Sequence, residues 1–174
     1  SLVMAKRVLK DLRIDCVRFW EDMAYRSGPL ISPEMFKKFM TPRYQVITDY
    51  LRGEGIEILH VDSDGDATEL IPLWLEVGVN FPWPLEVAAG MDAIALRKEY
   101  GRDLVLSGNI DKRVFLEGKD AIRHEVMSKV PHLLETGAYF PCLDHAVPPD
   151  VKLDDFRYYV NLLRDIGGQD PLPE

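Results

Sequence analysis

The feature that most constrains this chain is an apolar run that stops in a cluster of carboxylates, Ile56 to Asp66, reading Ile-Glu-Ile-Leu-His-Val-Asp-Ser-Asp-Gly-Asp. A short segment rich in Ile, Leu and Val, entered from Gly55 and left through Gly65, predicts a buried strand of a parallel sheet. On an extended chain His60, Asp62 and Asp64 fall on one side. In folds built from βα units the loops leaving the carboxyl ends of the strands form the active-site face, so these acids stand where chemistry is expected.

The same unit recurs along the chain. Residues 2–12 have helical spacing, and residues 14–20 predict a strand that ends at Glu21 and Asp22. Ser32-Pro33-Glu34 supplies a capping hydroxyl, a proline at the first helical position and an early acid, which predicts a helix running to about Arg52 with a kink at Pro42. After the strand at 56–62, a helix over 67–77 closes at Gly78. A strand at 79–83 follows, shortened by Pro82 and Pro84, and then a helix over 91–100. A strand at 104–109 ends at Asn109 and Asp111, and a helix over 119–135 leads to a strand at 138–143 whose exit is Asp144-His145. The last helix spans 154–166, and residues 168–174 predict a flexible tail. About five βα units with parallel strands give an α/β class, and acids and amides at successive strand exits favour a partial TIM (β/α)8-type barrel over a dinucleotide fold. Because a full barrel needs roughly 250 residues, residues 1–167 read as the C-terminal portion of a larger one.

Composition narrows the function classes. A formal charge of -8 disfavours a nucleic-acid partner, which relies on clustered Lys and Arg. No apolar stretch approaches membrane-spanning length, and Lys6, Arg7, Lys10 and Asp11 interrupt the N-terminal apolar residues, so neither a membrane partner nor a signal peptide is expected. Cys16 and Cys142 stand far apart without a CxxC pair, which points to a cytoplasmic setting.

The polar residues have ordinary explanations to weigh. Asp62, Asp64 and Asp66 with Gly65 resemble a calcium loop, but the EF-hand glycine would fall on Ala67 and the terminal glutamate on Leu73, so that reading fails. His60 serves equally as a structural histidine or a ligand, and Asp66 as a helix cap. His145, at another strand exit beside Asp144, is placed to converge with His60 across a barrel mouth. His124 and His132 lie in a helical pattern and belong to the surface.

Five segments carry a family resemblance: Ser32-Pro33-Glu34-Met35-Phe36; Leu59 to Gly65 followed by Leu70-Ile71-Pro72; Gly90-Met91-Asp92 with Leu96-Arg97; Ser107-Gly108-Asn109-Ile110-Asp111; and Asp144 to Asp150. In this order they resemble the uroporphyrinogen decarboxylase family, which also contains cobalamin-dependent methyltransferases. The resemblance covers most of the chain and implies the C-terminal part of that family's (β/α)8 barrel.

What the resemblance implies divides into two chemistries. In the methyltransferase branch a zinc is held by a His-x-Cys pair and a later Cys. His60 matches the first ligand, Asp62 falls at the first Cys and His145 at about the second, so the expected metal ligands are His60, Asp62 and His145, for zinc or another divalent metal. The decarboxylase branch uses no metal and binds a poly-carboxylated tetrapyrrole through residues nearer the N-terminus of its chain; His145 matches the histidine of its late Gly-His-Gly motif, although here the triplet is Asp-His-Ala. Candidate catalytic residues are Asp62, Asp64 and His145, and candidate substrate-binding residues are Glu21, Asp22, Asn109 and Asp144. So acidic a mouth repels a polyanion, which favours metal-assisted methyl transfer linked to a corrinoid on a partner protein, with tetrapyrrole decarboxylation second. A half-barrel module without its own activity is the non-enzymatic alternative. Open barrel edges also predict self-association.

Overall fold

The computed structural model describes residues 2–173. Helix α1 (Leu2–Val8) leads to strand β1 (Cys16–Trp20), after which a small antiparallel hairpin, β2 (Ala24–Tyr25) with β3 (Gly28–Pro29), turns the chain. Helices α2 (Pro33–Phe39) and α3 (Thr41–Gly53) return it to β4 (Ile58–Asp62). The alternation continues through α4 (Ile71–Glu76), β5 (Phe81–Trp83), α5 (Ala93–Tyr100) and β6 (Leu106–Ser107), and ends with α6 (Lys119–Thr136), β7 (Tyr139–Phe140) and α7 (Leu153–Ile166).

Strands β1, β4 and β5 pair in that order, all parallel, and β6 and β7 form a second parallel pair. The Val105 N–H donates to the Asn80 carbonyl at 2.8 Å, which joins the two groups, and a parallel bridge between Ile110 and Leu143 extends the second. The five expected strands are therefore present, in sequence order, as one arc of βα units. They are shorter than expected for local reasons: Pro82 has no N–H to give the ladder, and left-handed Gly108 and Asn109 turn the chain immediately after Ser107.

Three helices differ from expectation. Instead of a kink at Pro42 there is a break, with α2 ending and α3 beginning around Met40, because Pro42 offers no donor to the preceding turn. Helix α4 starts at Ile71 rather than 67, since the Asp66 carboxylate accepts from both the Thr68 N–H (3.0 Å) and the Thr68 hydroxyl (2.6 Å) and so holds a turn ahead of Pro72. Helix α1 ends at Val8 and buries no residue, and Val3, Met4 and Leu12 face outward. The tail residues 168–173 are exposed and non-helical but touch α7, where the Leu172 N–H donates to Asn161 Oδ1 at 2.8 Å.

Alternation along the strands sorts the two faces. Leu59 and Val61 of β4 are fully buried against the helices, each burial contributing about 1.5–3 kcal/mol. Behind β1 an aromatic series continues this core: Phe19 meets Tyr44 edge-on at 5.3 Å, and Phe36 meets Trp74 at 6.5 Å. The opposite, concave face carries His60 and Asp62, and the register sets Arg18 beside His60 and Trp20 beside Asp62. Among the described residues no helix is long and apolar enough to cross a membrane.

Candidate functional site

The carboxylate loop is strapped down before it can present its acids. The Glu21 and Asp22 N–H groups both donate to the Asp62 carbonyl (2.9 and 3.1 Å), and the Met23 N–H donates to Ser63 Oγ (2.9 Å). The Ser63 N–H donates to the Trp83 carbonyl (2.8 Å) and the Asp66 N–H to the Tyr25 carbonyl (2.9 Å), so the exits of β1, β4 and β5 move together. Gly65 has φ +83°, and a Cβ there would lie 2.5 Å from the Tyr25 carbonyl carbon and oxygen; only glycine lets the hairpin approach this closely.

On this frame Asp22, Asp62 and Asp64 converge, with one carboxylate oxygen of each within 4.8 Å of the others. Arg18 reaches across from β1 to pair with Asp62, which is buried, while Asp64 remains exposed. Asp22 accepts from Trp20 Nε1 at 2.8 Å, and its other oxygen lies 3.4 Å from the Asp64 N–H. His145 Nε2 stands 3.3 Å from Asp64 Oδ1, and the buried Nδ1 of the same ring has no hydrogen-bond partner among the described residues. A cavity of about 490 Å³ beside these acids is lined by Asp22, Tyr25, Arg26, Asp64, Gly65 and Glu86. A larger one, about 840 Å³, opens at the other end of the strands between residues 9–15 and 54–58, far along each strand from the acids.

The three candidate catalytic residues, Asp62, Asp64 and His145, are thus brought together. The expected metal set is not. Among the described residues the cluster able to surround a cation is Asp22, Asp62 and Asp64, and His60 lies outside it. Its ring packs edge-on against Phe81 at 4.6 Å and beside Trp83 at 6.3 Å. Burial, helped by the Arg18 charge, pushes His60 down to about 4, so it is neutral at pH 7.

The four candidate substrate-binding residues have different fates. Asp22 joins the cluster. Glu21 instead lines a separate cavity behind β1, and burial pushes its carboxyl up to about 7. Asn109 is fully buried, accepting from the Ala93 N–H (3.1 Å) and donating to the Leu85 (2.9 Å) and Met91 (2.8 Å) carbonyls. Asp144 is buried too, accepting from the Val87 (3.1 Å) and Lys112 (3.2 Å) N–H groups; burial raises its carboxyl and these two bonds work against that rise. Asn109 and Asp144 tie neighbouring strand exits together.

Trp83 is the site residue that strand-exit reasoning passed over. Arg18 lies over its ring at 5.2 Å, His145 lies 6.4 Å away and His60 6.3 Å, so it is the shared wall of the cluster. Phe81 and Phe140, stacked at 5.8 Å, continue that wall. The available signal was its place: Trp83 ends β5 as Asp62 ends β4, and the two pair in register.

Residues 17–166 match the family model described as uroporphyrinogen decarboxylase (URO-D). Uroporphyrinogen decarboxylase from Legionella pneumophila (strain Paris) is 27% identical over 143 residues, covering 82% of this chain and 40% of that protein. Its namesake from Hydrogenobaculum sp. (strain Y04AAS1) is 31% identical over 65 residues, covering 37% of this chain and 19% of that protein. A methyltransferase from Methanosarcina mazei superposes with a TM-score of 0.61 at 19% identity, covering 87% of this chain and 42% of that one, and shows the shared fold. The chain thus spans about 40% of the length of the Legionella protein. With the parallel arc as a partial barrel and the family model spanning β1 to α7, this chain belongs to the uroporphyrinogen decarboxylase family.

Proposed function

We propose that residues 1–167 form the C-terminal portion of a larger (β/α)8 enzyme that carries out metal-assisted methyl (one-carbon) transfer linked to a corrinoid on a partner protein. The observation that carries this is the convergence of Asp22, Asp62 and Asp64 beside His145, with the neighbouring Arg18 already paired to Asp62. Three carboxylates this close repel one another unless a cation or protons intervene. Cys16 and Cys142 stand apart from the acids, so the donors fit an oxygen-preferring divalent cation such as Mg²⁺ or Mn²⁺ better than a thiolate-held zinc. Asp22, Asp62 and Asp64 would hold it, and it would supply Lewis-acid polarisation of a substrate oxygen.

The chain's own groups divide the remaining work. His145 faces Asp64 through Nε2 and can take up or release a proton there. Trp83, Phe81 and Phe140 line one side and offer flat apolar surface to a ligand. An alkoxide or carboxylate substrate suits such a site better than a thiol. Further strands pairing with the edges of β1 and β7 would complete the barrel, from the rest of a longer chain or by self-association.

Tetrapyrrole side-chain decarboxylation is the second reading, favoured by the name of the Legionella relative at 27% identity. It would require cationic groups from outside this chain to hold a polycarboxylate against the acids. The test is to express the longest protein containing these residues and follow two reactions, methyl transfer from methylcobalamin by visible absorption and carboxylate loss from uroporphyrinogen by chromatography of the oxidised porphyrins. Methyl transfer that is abolished by chelation and restored by Mn²⁺ is the expected result. Chelator-resistant decarboxylation alone would replace the first reading by the second.

A further inference from the structure

Among the described residues Arg18 is the one lysine or arginine ion-paired with the acid cluster. It leaves β1 on the concave face, pairs with Asp62 on β4 and brings its guanidinium carbon 5.2 Å from the centre of the Trp83 ring on β5. Its head therefore points inward along the β1-β4-β5 order, away from the free edge of β1. The two partners are unequally buried: the Asp62 side chain is 8% exposed and that of Arg18 54%. His60, the neighbour of Arg18 in register, is neutral at pH 7 and offers Asp62 no charge. A guanidinium carries five N–H donors in a fixed fork, and among the described residues Arg18 uses it on Asp62 alone. A buried carboxylate thus depends on a counter-ion that is long, more than half in solvent and otherwise held by the attraction of an aromatic face.

We propose that Arg18 is an exchangeable counter-ion: it neutralises Asp62 while the acids hold no cation, gives up Asp62 when a divalent cation binds, and turns its freed fork to an anionic group of the substrate. This rests on the reading of Asp22, Asp62 and Asp64 as a cation site and adds an order of binding, cation first and anion second. Electrostatics sets the sign of each step. A guanidinium bonded to Asp62 competes for the same carboxylate as a dication and repels it at close range, so the pair lowers cation affinity. Once released, the planar fork matches a carboxylate through two parallel N–H bonds, and the Trp83 face keeps it beside the cluster. Both ligands act on one side chain, so the coupling is reciprocal and a bound anion tightens the cation.

The test titrates Mn²⁺ and benzoate, a carboxylate with a flat apolar body, into the longest protein containing these residues and into its Arg18→Met variant, both by calorimetry. Arg18→Met should bind Mn²⁺ about tenfold more tightly than the parent, within the usual range of coupling between two sites. The parent should bind benzoate at least about tenfold more tightly with saturating Mn²⁺ than without it, and Arg18→Met should lose that gain. Mn²⁺ affinity unchanged or weakened in Arg18→Met, benzoate binding that Mn²⁺ does not strengthen in the parent, or the full gain retained by Arg18→Met would each overturn the exchange and leave the cation site standing. Absence of Mn²⁺ binding in both proteins would remove the cation site itself, and the exchange with it. Should Arg18→Met fail to fold by circular dichroism, Arg18→Gln, which keeps a hydrogen-bond donor without the charge, takes its place.

Discussion

The two ends of the strands are built from opposite chemistry. At the amino ends Arg52 donates to the Glu57 (2.6 Å) and Gly78 (2.7 Å) carbonyls, and Asn80 accepts from the Leu59 N–H (3.0 Å) while donating to the Glu57 carbonyl (3.0 Å). One unit later Arg97, buried, donates to the carbonyls of Gly101, Leu104 (3.1 Å) and Ala138 (2.8 Å). These side chains stitch each strand's start to the next, and their bonds run to backbone. At the carboxyl ends acids gather instead; Arg18 pairs with Asp62, while Asp64 and His145 face mainly one another, leaving capacity for a ligand. In (β/α)8 folds the amino face serves stability and the carboxyl face serves chemistry, and here the difference is visible in where the polar atoms point.

Arg97→Ala should produce the largest effect. It would leave the carbonyls of Gly101, Leu104 and Ala138 without their guanidinium donor, with the Leu104 bond fully buried, at a cost of about 3 kcal/mol in urea denaturation. A loss below about 1 kcal/mol would mean that the amino-face stitches are decorative. Gly65→Ala tests the same division from the other side, because the carboxyl face also contains a structural joint. A side chain at φ +83°, with its Cβ 2.5 Å from the Tyr25 carbonyl, combines left-handed strain with overpacking for about 2–3 kcal/mol. Wild-type stability in that variant would show that hairpin and acid loop are not strapped together.

How much of this was legible in the sequence differs between backbone and side chains. Strand positions were readable because apolar runs between glycines fix where a parallel strand can lie, and the acids at 62 and 64 were readable from alternation on β4. What escaped depended on contacts across the sheet. His60 has the parity of a ligand, but pairing with Phe81 in register gives its ring an aromatic neighbour, and nothing within its own strand announces that. Asn109 and Asp144 look like site residues by position and serve as braces, because their partners at 85, 87, 91, 93 and 112 come from other loops. Glu21 precedes Asp22 directly, yet Asp22 takes a left-handed turn (φ +50°) at which both N–H groups meet the Asp62 carbonyl, and the two residues line different cavities.

The pH dependence of stability should carry two opposed slopes of smaller size. His60 is held at about 4, below its ordinary 6.5, so the unfolded chain takes up a proton first as pH falls. Its contribution is fully present above pH 6.5 and is lost between there and about 4. Glu21, at about 7 against an ordinary 4.5, behaves in the reverse sense: its contribution is fully present below 4.5 and is lost as pH rises through about 7. Thermal melts from pH 4 to 8 should therefore separate the two. His60→Phe should leave stability falling with pH, and Glu21→Gln should leave it rising. If both variants keep the wild-type profile, burial of these two groups is not what sets it.

The smallest stability effect should come from the residue closest to the proposed chemistry. Asp64 is more than half exposed, and its side-chain contact in the folded protein is His145 at 3.3 Å. An exposed pair of this kind contributes about 0–1 kcal/mol, and Asp64→Asn also removes one of three mutually repelling charges, so the net change should stay within about 0.5 kcal/mol. Binding should respond very differently. If Asp22, Asp62 and Asp64 hold a divalent cation, replacing an anionic oxygen by an amide should weaken Mn²⁺ affinity at least about tenfold in calorimetric titration. Asp111→Asn supplies the control, since that carboxylate already accepts from the Arg113 N–H and guanidinium and lies outside the cluster. Its Mn²⁺ affinity should match the parent's while its stability falls. Equal Mn²⁺ binding by the parent and Asp64→Asn would remove Asp64 from any cation site, and a stability loss above about 1 kcal/mol in Asp64→Asn would place this acid among the braces, erasing the contrast between the two ends of the barrel at the point where it is sharpest.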